Sequence, residues 1–131
     1  MTTSTPRVLI AENQYLIAME VERILQESLT CDVMITPLSR LTQELSAGNF
    51  EIVIIDAAAA EPLNVERAKL IQSAGAMPVF LSSYDSYPVA DTVVSSYPKV
   101  SKPPQSAELA AAVLDAMRRK SSDSEGLLYD R

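Results

Sequence analysis

The sequence predicts a single α/β domain on a five-stranded parallel sheet, and three observations carry that expectation. The 131 residues suit one hydrophobic core and leave little room for a second. Three short runs, VLIA at 8–11, IVII at 52–55 and MPVFL at 77–81, are apolar throughout and lack two-residue alternation. Strands covered on both faces of a parallel sheet read this way. Finally, segments with helical spacing fall between the runs. Strand–helix alternation of this kind implies right-handed crossovers with helices on both faces.

Taken in order, the elements begin with a strand at 8–11. A helix over 14–28 follows, with Ile17, Val21, Ile24, Leu25 and Ser28 on one stripe and Glu20, Glu22, Arg23 and Gln26 elsewhere. Asn13 stands where an N-cap would stand. Residues 32–36 supply a weaker second strand, and 39–47 a short helix stopped by Gly48-Asn49. The strand at 52–55 precedes a helix over 64–74, ended by Gly75. After the strand at 77–81, Pro88 interrupts residues 85–96, so a fourth helix should be short or irregular. A fifth strand falls at 99–101. The last helix covers 106–120, with Leu109, Val113 and Met117 on one stripe. Residues 1–6 and the polar, glycine-containing stretch 121–131 fall outside the domain at 7–120, and the latter is expected to be a disordered tail.

Composition closes several functional classes. The chain is 47% apolar and 21% charged, ordinary for a globular protein. It contains no apolar run of about 18 residues, and its first residues lack the apolar region of a secretory signal, so no membrane role is expected. One cysteine, Cys31, cannot form an internal disulfide, consistent with a reducing, cytoplasmic setting. The formal charge of −6 argues against direct nucleic-acid binding, which needs a clustered positive surface. Arg118-Arg119-Lys120 reads as the cationic end of a helix. The absence of histidine excludes Ser-His-Asp and Cys-His chemistry and imidazole-held metals, leaving a hard cation held by oxygens. No glycine follows the first strand, so a dinucleotide or P-loop site is excluded too.

In a parallel sheet of this class, chemistry gathers at the carboxyl ends of the strands. Those ends carry Glu12-Asn13, Asp56, Ser82-Ser83 and Lys102-Pro103. Carboxylates can hold Mg²⁺. A lysine can neutralise an incoming phosphoryl group while the central carboxylate attacks it. A hydroxyl can then hydrogen-bond a phosphoryl oxygen. Each residue also has a plainer reading. Asp56 could cap the following turn, Glu12 could be an exposed helix-start charge, and Lys102 could be a solvated surface group.

On these residues the chain resembles the receiver domain of bacterial response regulators. RVLIAENQYLIAMEVERIL looks like its opening strand and helix, and FEIVIIDAAAA like its third strand ending in the phosphoacceptor. VFLSSYD and YPKVSKPP resemble its fourth and fifth strands. The resemblance covers about residues 7–118 and implies a flavodoxin-like (βα)5 three-layer sandwich. It also implies phosphorelay signalling rather than enzymatic turnover. Asp56 would be the phosphoacceptor, Ser82 and Lys102 would assist it, and Glu12, Asn13 and Asp56 would hold Mg²⁺. A sensor histidine kinase or histidine phosphotransfer protein would donate the phosphoryl group. A downstream protein would read it, and a homodimer is one form the output could take. The Lys102–Pro103 bond is usually cis in the family.

The chain departs from the family at three places. Asn13 stands where a second acid is expected, which should weaken the metal. Four alanines, 57–60, follow Asp56 without the usual Pro and Gly, and Lys99 replaces a common aromatic. These departures keep a second class open: a pseudo-receiver that binds partners without being switched by phosphorylation. Tyr84, Tyr87 and Tyr97 are either a partner-binding patch or half-buried packing residues.

Overall fold

The computed structural model describes residues 5–83 and 93–129. Five strands, β1 (Arg7–Ala11), β2 (Asp32–Thr36), β3 (Ile52–Asp56), β4 (Met77–Ser83) and β5 (Lys99–Lys102), form one sheet in the order β2-β1-β3-β4-β5. Every neighbouring pair is parallel. The helices are α1 (Tyr15–Ser28), α2 (Leu41–Ala47), α3 (Glu61–Ser73), α4 (Val93–Ser96) and α5 (Ser106–Tyr129).

Alternate residues of the three central strands serve opposite layers, which is why these runs show no polar alternation. Val8, Ile10, Ile52, Ile54, Val79 and Leu81 face α1 and α5, meeting Val21, Ile24, Leu25, Leu109 and Val113. Leu9, Ala11, Val53, Ile55 and Phe80 face the other way, onto Leu41 and Leu45 of α2 and Ala68 and Ile71 of α3. Burying one such side chain stabilises the fold by about 1.5–3 kcal/mol, so neither layer is dispensable. The edge strand β2 has one covered face only, and Asp32 and Met34 are exposed there.

Several boundaries differ from expectation. β3, β4 and β5 run one or two residues past their expected segments, to Asp56, Ser83 and Lys102, the residues the sequence places at the strand ends. α3 starts at Glu61 rather than 64, because Pro62 in the first turn gives up an N–H that has no helical partner there. Gly75, at φ 87°, closes α3 in the left-handed conformation. The expected helix at 85–96 is helical over Val93–Ser96, while residues 84–92, with Tyr84 and Tyr87, lie outside the described residues.

The final helix does not stop at 120: its backbone continues to Tyr129, where a disordered tail was expected. No proline interrupts 121–129, and Gly126 costs about 1 kcal/mol relative to alanine without blocking helical geometry. No helix among the described residues is long and apolar enough to cross a membrane.

Candidate functional site

The central strands deliver their last side chains to one rim. Glu12 follows β1, and its N–H donates to the Thr36 carbonyl at 3.1 Å, prolonging the β1–β2 ladder by one bond. This places its carboxylate inside the protein, with 3% of the residue exposed, not in the solvated helix-start position. Glu12 Oε2 accepts the Gln14 N–H at 3.0 Å. Glu12 Oε1 is buried without a well-formed hydrogen bond, and the Lys102 ammonium lies 3.2 Å from it.

Asp56 ends the central strand and keeps 29% of its side chain in solvent. Its Oδ1 lies 2.6 Å from Lys102 Nζ, and Gln14 Oε1 approaches the same ammonium at 3.4 Å. Lys102 therefore sits among three oxygens, two from the segment after β1 and one from the end of β3. Burial alone would lower its pKa, but the hydrogen bond and charge of Asp56, with the charge of Glu12, outweigh it and hold the pKa above the ordinary value. Two carboxylates and one ammonium leave a net −1.

Ser82 lies on the neighbouring strand, opposite Ser101 and one residue beyond Leu81, which pairs with Asp56. It is partly exposed at the same rim. The peptide bond after Lys102 is cis, the isomer expected from the resemblance.

Asn13 takes a different course. Its Oδ1 accepts the Leu38 N–H at 2.8 Å, across the β1–β2 edge, at the start of a short 3-10 turn, Leu38–Arg40. It does not cap α1 either; Gln14 occupies that position without a side-chain cap. The reason is local supply. The Leu38 N–H is an orphan at a helical start, and the carboxamide oxygen satisfies it.

Asn64 and Gln14 join the neighbourhood without having been singled out from sequence. Asn64 looked like the start of a helix, yet its side chain reaches back to Ala58, accepting its N–H at 2.8 Å and donating to its C=O at 2.9 Å. The Ala57 N–H donates to the Leu81 carbonyl at 2.8 Å. The alanine run is thus held by backbone groups and one carboxamide.

For a hard cation, the carboxylates of Glu12 and Asp56 form a usable pair, since Mg²⁺ is commonly held by one or two carboxylates and water. The underused buried Oε1 of Glu12 favours that assignment. Two further oxygens, Asn13 Oδ1 and the Ala58 carbonyl, are already engaged by Leu38 and Asn64. Among the described residues no group of three or more acidic or thiol side chains gathers to hold a metal ion, so a hard cation here would have fewer donors than a full acidic set provides.

On the opposite side of β5, Tyr97 packs tilted against Phe80, ring centres 6.0 Å apart, and donates its hydroxyl to Gln72 Oε1 at 2.8 Å. Lys99 is exposed on this face. Arg119 of α5 donates to the Ser96 carbonyl at 2.8 Å, fastening α5 to the end of α4. Tyr97 is thus half-buried, with its hydroxyl on a protein partner.

No protein-family model and no curated protein matches this sequence. Solved structures do match. The signal receiver domain of an HD domain-containing protein from Pseudomonas fluorescens Pf-5 superposes with a TM-score of 0.73 at 19% identity, covering 95% of this chain and 96% of that one. The receiver domain of a modulated diguanylate cyclase from Desulfovibrio desulfuricans G20 gives 0.70 at 21% identity, covering 92% and 99%. SdrG from Pseudomonas melonis Fr1, in its BeF3-activated conformation, gives 0.64 at 20% identity, covering 88% and 99%. The chain has the fold of receiver domains.

Proposed function

We propose that the chain is a receiver of two-component signalling in which Asp56 accepts a phosphoryl group from a phosphohistidine on a sensor histidine kinase or phosphotransfer protein. One observation carries this reading: a partly exposed carboxylate at the end of the central strand, with a lysine ammonium 2.6 Å from it and a second, buried carboxylate on that same ammonium. Structural likeness to receiver domains supports it.

In the step itself, an Asp56 carboxylate oxygen forms a bond to phosphorus. The P–N bond to the donor imidazole breaks, and its electron pair leaves with the imidazole nitrogen. Lys102 already lies against Asp56 and can pair with the added negative charge as the acyl phosphate forms. Ser82, at the same rim, is the hydroxyl suited to hydrogen-bond a phosphoryl oxygen. Mg²⁺, when bound, would be held by Glu12 and Asp56 and would neutralise further charge on the transferring group. The output would pass to a protein partner or a second copy of the chain through the face bearing Lys99, Tyr97 and Arg119.

One observation favours a second reading, a pseudo-receiver that binds partners without phosphorylation. Asn13 Oδ1 and the Ala58 carbonyl, both close to the carboxylates in sequence, are spent on Leu38 and Asn64. Incubation with Mg²⁺ and acetyl phosphate, followed by intact mass, separates the two. A phosphoryl adduct that disappears in Asp56→Ala is expected. An unmodified protein at millimolar Mg²⁺ would leave the pseudo-receiver standing.

A further inference from the structure

Asn64 belongs to the buried stripe of α3, with Ala68 and Ile71 following at helical spacing, and only 3% of it is exposed. A carboxamide in such a place is unfavourable unless both ends are paired. Here both ends meet one residue: Oδ1 takes the Ala58 N–H at 2.8 Å and Nδ2 gives to the Ala58 C=O at 2.9 Å, while Glu61 Oε1 lies at the longer distance of 3.5 Å. The two short bonds copy the reciprocal pairing of opposed residues in antiparallel strands. The segment they hold needs such a clamp, because four alanines carry no polar side chain and Ala60, at the head of α3, caps nothing. Asp56 is two residues from the clamped alanine, and the residue between them is already tied to Leu81.

We infer that Asn64 is a positioning residue for Asp56. Acting through Ala58, it sets the direction in which the carboxylate leaves β3 and keeps the Ala58 carbonyl turned to α3 instead of the carboxylate pocket. An apolar residue on the same stripe would pack as Ala68 and Ile71 do but would leave both backbone groups of Ala58 unpaired. The assignment rests on the receiver reading for its consequence, yet the positioning itself is measurable without any ligand.

Three variants make the test: Asn64→Ala, Asn64→Asp and Asn64→Gln. The readouts are the ¹³C resonance of the Asp56 carboxylate, hydrogen exchange at the Ala58 amide, and fluoroberyllate affinity by NMR. In Asn64→Ala, Ala58 exchange should rise by roughly tenfold, the loss of about one net hydrogen bond. The Asp56 resonance should move, and fluoroberyllate affinity should shift several-fold from wild type. Asn64→Gln, one methylene too long, should behave like Asn64→Ala.

Asn64→Asp is the diagnostic variant. As a carboxylate it accepts the Ala58 N–H but repels the Ala58 carbonyl; as a neutral acid it serves both. Compared with wild type at each pH, its Asp56 resonance and fluoroberyllate affinity should therefore match Asn64→Ala where the new acid is ionised and return toward wild type where it is protonated, since burial raises a carboxyl pKa. Faster Ala58 exchange with an unmoved Asp56 resonance in Asn64→Ala, or an Asn64→Asp variant without that pH profile, would overturn the positioning role. A wild type that ignores fluoroberyllate while Asp56 still responds to Asn64 would sink the receiver reading and leave the positioning role intact.

Discussion

Lys102 is the residue on which the rim turns, because it is the cation beside two carboxylates, one of them almost wholly buried. Removing one partner of a buried pair leaves the other charge uncompensated and costs about 3–5 kcal/mol. Lys102→Met should fall near 3 kcal/mol in urea denaturation, because Asp56 keeps solvent access while Glu12 does not. A loss below about 1 kcal/mol would mean that Glu12 is not relying on the ammonium. Alkali tests the same contact from the other side. The folded pKa of Lys102 is raised above its ordinary 10.5, so its contribution is complete below pH 10.5 and fades as the pH climbs through the higher folded value. Unfolding free energy should therefore drop above pH 10.5, and Asp56→Asn, which weakens the raising partner, should drop less over that range. Gln14, on the same ammonium, was invisible beforehand because a glutamine at a helix start has no reason, in the local pattern, to touch a residue 88 positions away.

Between elements, the carboxamides do work that the hydrophobic pattern does not announce. Asn13 joins the end of β1 to the turn that precedes α2, and Asn64 joins α3 to the loop after β3. Asn13→Ala should cost about 1 kcal/mol, the worth of one net hydrogen bond to an orphan N–H, with faster exchange at the Leu38 amide as its signature. An unchanged Leu38 amide would place the Asn13 side chain elsewhere. From sequence Asn13 reads as a cap and Asn64 as a helix start, whereas Gln14 holds the cap position of α1 and Asn64 lies inside α3. Local pattern identifies which backbone groups lack partners along one element, but not which side chain from another element will reach them. The start of α3 at Glu61, three residues before the expected 64, is likewise allowed because Pro62 is tolerated in the first turn of a helix.

At the scale of the whole molecule, ligand binding and stability are one measurement. If Glu12 and Asp56 hold Mg²⁺, the ion at ten times its Kd should stabilise the domain by about 1.4 kcal/mol. That raises Tm by roughly 5 °C for a domain of this size. Asp56→Asn should abolish most of the rise, and an equal rise in that variant would put the ion elsewhere. The architecture was legible from residues alone because a strand covered on both faces has to be apolar along its length. Such runs, spaced by helices, admit few arrangements. The rim residues Glu12, Asp56, Ser82 and Lys102 were legible for a related reason: the first three are the first polar groups after the apolar runs, Lys102 closes the fifth strand, and a parallel sheet sends all of those ends to one edge. Direction and reach were settled by packing. Whether Asn13 turns to Leu38 or Asn64 to Ala58 depends on unpaired backbone groups that come near them only once the layers have assembled, and no spacing along a single chain encodes that proximity.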